Sequence, residues 1–120
     1  MNDYQMGVIE SRFADIIWNN EPISSTELVK KSGETLGWKK STAYTVLKRL
    51  CEKGIFRNEN GVVTSVMTKN EFFSVQSERF VEDTFDGSLP AFLAAFTSRK
   101  QLSKDEIEQL RQLVAQYEEE

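Results

Sequence analysis

Residues 37–54 read GWKKSTAYTVLKRLCEKG and carry the strongest fold signal of the chain. Its apolar residues recur at helical spacing, which predicts a helix over residues 40–53. The predicted buried stripe of that helix consists of Ala43, Val46, Leu47 and Leu50. Gly54 then suits the position just after a helix, where a left-handed backbone is common.

The other faces of this helix have the composition that DNA contact requires. Lysine and arginine provide charge against phosphate, and hydroxyl side chains can hydrogen-bond phosphates or base edges. The candidate DNA-binding residues of this stretch are Lys39, Lys40, Ser41, Thr42, Tyr44, Thr45, Lys48 and Arg49. The alternative is an ordinary amphipathic helix with a solvated polar face.

Two further helices are predicted before this one. Residues 8–19 carry an apolar face at helical spacing, and Pro22 ends that helix. Ser24 or Ser25 is a candidate N-cap for a short second helix that ends at about Lys31, and Ser24 has capping-box spacing to Glu27. Residues 32–37 contain two glycines and are predicted to form a turn.

A β-hairpin is predicted after the third helix. Residues 54–57 and 62–67 are rich in β-branched and aromatic side chains, and residues 58–61 between them end in Asn-Gly, a strong turn signal. Three helices followed by a hairpin is the order of a winged helix-turn-helix domain. Arg57 is the candidate DNA-binding residue of this wing. Because the wing is weakly charged, we expect it to contribute little specificity; its alternative role is a structural cap.

Residues 70–120 are predicted to form an all-helical dimerisation domain. They carry more large apolar side chains than three helices can bury alone, and closed two-fold dimers are the commonest oligomers. A capping box of Ser103 and Glu106 starts the last helix. The alternative is packing back onto the N-terminal domain. The candidate interface residues are Phe72, Phe80, Phe85, Leu89, Phe92, Leu93, Phe96, Ile107, Leu110 and Val114.

The charge is divided unevenly along the chain. The net charge is −4, but residues 1–69 carry ten basic and eight acidic side chains, whereas residues 70–120 carry five and eleven. Residues 36–57 hold six basic residues and one acidic residue. A local basic cluster is what phosphate contact needs, whatever the total charge. The two halves are therefore expected to have different functions.

Several function classes are disfavoured by the composition. The chain has no histidine, which removes the commonest general base and metal ligand, so we expect no enzyme activity, no metal site and no cofactor. Cys51 is the single cysteine, expected to pack rather than to sense redox state. No apolar run approaches the ~20 residues of a membrane span, and no secretory signal is visible, which indicates a cytoplasmic protein without a membrane partner.

Several stretches resemble the penicillinase-repressor family, which includes the methicillin-resistance and copper-transport repressors. Together they cover most of residues 6–115. The matching stretches are Ile16-Ile17-Trp18, Pro22-Ile23-Ser24, Glu27-Leu28, residues 37–54, Gly87-Ser88-Leu89, Phe96 and residues 102–111. The resemblance implies a repressor that binds a palindromic double-stranded DNA operator as a homodimer.

The resemblance also bears on how repression is relieved. In the β-lactam branch, a signal-linked protease cuts an Asn–Phe bond in the dimerisation domain, and the matching bond here is Ala95–Phe96, which keeps the Phe and lacks the Asn. Copper-responsive members bind metal through C-terminal Cys-x-Cys pairs, whereas this chain ends in residues 117–120 without them. The sequence therefore supports no metal sensing by that route and leaves the inducing signal open.

The sequence predicts a mainly α fold with a small β-hairpin wing: a winged helix-turn-helix domain over residues 1–69, then a helical dimerisation domain over residues 70–120. The functional hypothesis is a homodimeric transcriptional repressor whose recognition helix spans about residues 40–53. The alternatives are a winged-helix protein-interaction module, and a degenerate copy that dimerises without specific DNA binding.

Overall fold

The computed structural model describes residues 6–119 and confirms the mainly α fold with a small wing. Within that range, no helix is long and apolar enough to cross a membrane. The elements of the described chain are α1 (Val8–Asn20), β1 (Ile23–Ser24), α2 (Ser25–Leu36), α3 (Lys40–Glu52), β2 (Phe56–Glu59), β3 (Val62–Ser65), α4 (Lys69–Phe85), α5 (Leu89–Arg99) and α6 (Lys104–Glu118).

The second helix is longer than predicted. The expected end at Lys31 and the expected turn over residues 32–37 are wrong, because α2 continues to Leu36. Ser32 is fully buried, and its hydroxyl donates to a backbone carbonyl in the preceding turn, so this polar residue is accommodated inside the helix. The chain turns only at Gly37, whose φ of 69° places it in the left-handed region.

A third strand joins the predicted hairpin. The sheet is antiparallel with the order β1-β3-β2, so β3 is central. The hairpin closes at Asn60 and Gly61, both with positive φ, as the Asn-Gly signal predicts. The sequence did not predict β1, because a strand of two residues is too short to show an alternating pattern.

The described chain divides into two compact units, and the division falls after Arg79, inside α4. This is later than the expected boundary after residue 69, because the start of α4 belongs to the first core. Phe72 is only 1% exposed, and its ring lies 6.0 Å from that of Trp18. Phe72 was predicted at the dimer interface, and that prediction is wrong, since its side chain is buried within its own protomer.

The first unit is organised around one apolar core. Aromatic contacts link its elements: Phe13 of α1 stacks on Trp38 at 5.1 Å, and Trp18 contacts Phe56 of β2 at the same distance. The Trp18 indole also donates to the carbonyl of Met67 at 3.0 Å. The core consists of Phe13, Ala14, Ile17, Ile23, Leu28, Ala43, Val46, Leu47, Leu50, Ile55, Phe56, Val63 and Phe72.

The second unit has well-formed helices but no such core. None of the described residues from Phe80 to Glu119 is buried. The helix α5 follows the N-cap Ser88 and ends at Arg99. The capping box of Ser103 and Glu106 at the start of α6 is confirmed. Helix formation in this unit therefore follows local signals, whereas burial is incomplete.

Candidate nucleic-acid interface

The helix α3 presents its N-terminal turn to solvent. Its N-cap, Lys39, makes no side-chain capping bond, and its first turn carries no acidic residue. The first backbone N–H groups of a helix have no intrahelical acceptor and favour anions such as phosphate. Lys39 and Lys40 are both exposed beside these groups. The start of α3 is therefore cationic and suited to a phosphate oxygen.

One polar stripe of α3 lies directly opposite the buried stripe. Ser41, Thr45 and Lys48 are spaced four and three residues apart, which places them on the same helix face. All three are exposed, and the Thr45 hydroxyl donates to the Ser41 carbonyl at 2.8 Å. We call Ser41, Thr45 and Lys48 the outer stripe. It offers two short hydroxyls followed by one long cation, and exposed Thr42 flanks it.

Tyr44 lies between α3 and the start of α2. It is half-buried, and its hydroxyl is 3.5 Å from the hydroxyl oxygen of Ser25, the first residue of α2. The ammonium of Lys40 lies 6.0 Å from the centre of the Tyr44 ring. Tyr44 is thus a side chain at the helix–helix junction, and it is less open to a ligand than the outer stripe.

Arg49 has an acidic partner within the protein. One guanidinium nitrogen lies 3.4 Å from a carboxylate oxygen of Glu10 on α1, while the arginine side chain stays half-exposed. Arg49 comes nine residues after Lys40, which is roughly 13 Å along the helix at 1.5 Å per residue. Its contact connects the C-terminal end of α3 to α1. Sequence reasoning missed Glu10 because the pair is separated by thirty-nine positions.

The wing carries the remaining predicted cation. Arg57 is exposed in β2, and its side-chain nitrogen lies 3.4 Å from a carboxylate oxygen of Glu59. Exposed ion pairs of this kind contribute little to stability and are readily exchanged for other partners. Asn58 and Asn60 are exposed beside them. The wing therefore has one cation and two amides available at its surface.

Cys51 lies on the inner side of α3. It is half-buried and lines a shallow depression with Leu47 and Asn58. Burial raises the pKa of the Cys51 thiol. A thiol with a raised pKa is a poor nucleophile near neutral pH, which agrees with a packing role.

The predicted interface residues of the second unit are largely accessible. Phe85, Phe92, Leu93 and Leu110 are half-buried, and Phe80, Leu89, Phe96, Ile107 and Val114 are exposed. A groove of about 350 Å³ runs along α5 and α6, and its apolar lining includes Phe92, Phe96, Leu102, Leu110 and Leu113. Leu113 was missed, although its spacing from Leu110 continues the apolar face of α6.

The candidate cleavage bond can also be placed. The Ala95–Phe96 bond lies inside α5, so a protease that needs an extended substrate could reach it only after local unwinding. Within the described residues 6–119, no group of three cysteine or carboxylate side chains is arranged to hold a metal ion.

Comparisons with known proteins give consistent results. A profile of the penicillinase repressor family matches residues 6–116. The penicillinase repressor of Bacillus licheniformis is 26% identical over 117 residues, covering 94% of this chain and 91% of that protein. The methicillin resistance regulatory protein MecI of Staphylococcus aureus is 24% identical over 115 residues, covering 92% and 94%. The solution structure of the DNA-binding domain of the repressor BlaI matches with a TM-score of 0.53 and 26% identity, covering 58% of this chain and 90% of that one.

Proposed function

Because the chain belongs to the penicillinase repressor family, we propose that it represses transcription by binding double-stranded DNA as a homodimer. The observation that carries this proposal is the outer stripe of α3, with the cationic helix start beside it. A helix whose exposed face combines short hydroxyls with lysines can enter a major groove and contact both bases and phosphates. The proposal includes no catalytic step.

The roles within the interface follow from position. In a helix-turn-helix protein, the N-terminal residues of the second helix reach the base edges. Ser41 and Thr45 are therefore assigned to base or phosphate contact, and Lys39, Lys40 and Lys48 to the phosphate backbone. Lysine holds phosphate as a point charge, so these contacts add affinity more than sequence preference.

The predicted residues at the edges of this interface have smaller roles. Arg57 on the wing is assigned to an adjacent phosphate, with Thr42 flanking the groove. Arg49 and Tyr44 already have partners within the protein, Glu10 and Ser25. We assign them mainly to holding α3 in place.

The second unit is assigned to dimerisation. None of the described residues between Phe80 and Glu119 is buried in the protomer, and the apolar faces of α5 and α6 stay open to solvent. A soluble monomer rarely tolerates a large exposed apolar patch, and a second copy of the same unit can cover it. A two-fold dimer presents two α3 helices and so favours a palindromic operator.

The proposal is tested by binding of the purified chain to duplex DNA from upstream of its own gene. Fluorescence anisotropy at ~50 and ~200 mM salt should show a loss of affinity on the order of 10³-fold, because several phosphates are neutralised. Lys40→Ala/Lys48→Ala should strongly weaken binding to the upstream duplex, because phosphate contacts are lost in both protomers. Lys100→Ala/Lys104→Ala removes the same charge from the second unit and is the matched control.

Two results would contradict the proposal. One is equal affinity for the upstream duplex and for a random duplex of the same length, which would favour a protein-interaction module or a degenerate copy. The other is an equal loss of affinity in both double variants, since binding would then depend on total charge and not on α3.

A further inference from the structure

The central strand of the wing is anchored to the segment that precedes α2. β1 is only two residues long, and it pairs with Val62 and Val63 of β3. The pairing continues beyond it, because the Ser25 N–H donates to the Gly61 carbonyl at 2.7 Å. The turn of the wing is therefore bound to the first residue of α2.

At the other end of β3 a side chain replaces the backbone. Continuing the register places Glu21 opposite Ser65, at the next position where an antiparallel pair would form its hydrogen bonds. The Ser65 N–H donates to the Glu21 carboxylate at 2.9 Å. The Ser65 hydroxyl lies 2.8 and 2.9 Å from the two carboxylate oxygens. The Glu21 side chain thus does there what a strand carbonyl would otherwise do.

Glu21 also lies where α1 ends, next to the strand β1. It is the C-cap residue of α1, so its carboxylate joins the end of α1 to the root of the wing. The only predicted cation of the wing, Arg57, pairs through its backbone with Thr64, the residue before Ser65. We infer that Glu21 is a positioning residue for DNA binding: its carboxylate fixes the wing, and with it Arg57, relative to α3. This inference rests on the function proposed above.

The direction in which DNA affinity changes distinguishes a positioning role of Glu21 from an effect of its charge alone. A surface carboxylate near DNA repels phosphate, so its removal should tighten binding. A carboxylate that positions the wing should weaken binding when removed. Glutamine retains an oxygen that can accept from the Ser65 N–H but carries no charge, so it should preserve the position.

The test compares full-length variants on the fluorescent upstream duplex. Glu21→Ala should weaken binding about five- to tenfold, which corresponds to about 1–1.4 kcal/mol and to the ordinary contribution of one hydrogen bond. Glu21→Gln should stay within about twofold of the unmodified chain. Glu34→Ala, which removes an exposed carboxylate from α2, should bind equally or more tightly. Arg57→Ala should cost affinity in the unmodified chain and little in the Glu21→Ala background.

Hydrogen exchange of the Ser65 amide provides a readout without DNA. It should be faster in Glu21→Ala than in the unmodified chain or in Glu21→Gln. Glu21→Ala that binds as tightly as the unmodified chain overturns the inference and leaves the proposed function standing. An unmodified chain without specific binding overturns both, whatever the exchange shows. If Glu21→Ala does not fold, Ser65→Ala takes its place, with a loss of about two- to threefold expected from the missing hydroxyl bond.

Discussion

The two units of this protein differ in how much apolar surface each buries within itself. Among the described residues, the unit ending at Arg79 buries thirteen apolar side chains, whereas none from Phe80 onward is buried. The first unit therefore has its own source of hydrophobic stability, at roughly 25 cal/mol per Å² of apolar surface removed from water. The second unit leaves that free energy unrealised until another surface covers it.

The two units also differ in net charge. Residues 1–79 have a net charge of +1, and residues 80–120 have a net charge of −5. The unit with the buried core has a positive net charge, which favours contact with DNA. The unit without a core has a negative net charge, which DNA repels. The net charge of the whole chain therefore says little about its partner, because the relevant charge is local.

The largest expected effect tests the independent core. Phe13→Ala should lower the free energy of unfolding by about 3–5 kcal/mol, because the fully buried ring leaves a cavity beside Trp38. Urea unfolding followed by circular dichroism measures the change. Phe73→Ala is the matched control: the Phe73 ring is 44% exposed and its loss should cost about 1 kcal/mol or less. Equal losses in the two variants would refute the assignment of the core.

The next effect in size concerns the exposed apolar face of α6 in the second unit. Val114→Asp should weaken dimerisation by on the order of 100-fold, because it places a charge on the apolar face of α6. Sedimentation equilibrium measures the monomer–dimer constant. Gln112→Asp adds the same charge on the opposite face of α6 and should change the constant little. An unmodified chain that is monomeric at all concentrations would show that this face is not the interface. The same shift of the monomer–dimer constant in both variants would show it too.

The third prediction distinguishes two neighbouring cations. Lys48→Ala should reduce DNA affinity several-fold and lower the salt slope by about two, because the dimer neutralises two phosphates fewer, one in each protomer. Arg49→Ala should leave the slope nearly unchanged, because Arg49 is already paired with Glu10. Anisotropy titrations at four salt concentrations measure both slopes. A slope that falls in Arg49→Ala and not in Lys48→Ala would reverse the assignment.

The smallest effect concerns the start of α6. Glu106 accepts hydrogen bonds from the Ser103 backbone N–H, which holds the pKa of its carboxyl below the ordinary value. A lowered folded-state pKa contributes stability above the ordinary pKa and loses it as the pH falls through the lowered one. Helicity should therefore decline slightly on acidification below about pH 4.5, the ordinary glutamate value. Glu106→Gln should show a smaller decline in a circular-dichroism titration, and an identical decline would contradict the capping role.

Local signals made most of the fold predictable. The buried stripe of α3, the Asn-Gly turn and the Ser103 capping box each depend on residues a few positions apart. The extension of α2 through Gly33 and the burial of Phe72 depend on packing against distant elements, which periodicity does not report. The errors therefore occur where tertiary contacts outweigh local preference.

In the candidate site too, features set by local spacing could be predicted, and features set by distant contacts could not. The outer stripe could be predicted, because helical spacing alone places Ser41, Thr45 and Lys48 on one face. The contacts of Glu10 and Glu21 could not, since their partners Arg49 and Ser65 lie thirty-nine and forty-four positions away. Sequence spacing identifies what the interface exposes, and the structure identifies what holds it in place.

The measurement that tests the division of labour most directly is DNA binding by a chain that cannot dimerise. Val114→Asp keeps the first unit intact, so its affinity for the upstream duplex should fall by on the order of 100-fold as two linked half-site interactions become one. Sedimentation of the unmodified chain on the same duplex should show two copies bound. One copy per duplex, with the affinity of Val114→Asp unchanged, would contradict the claim that DNA binding depends on dimerisation through the second unit.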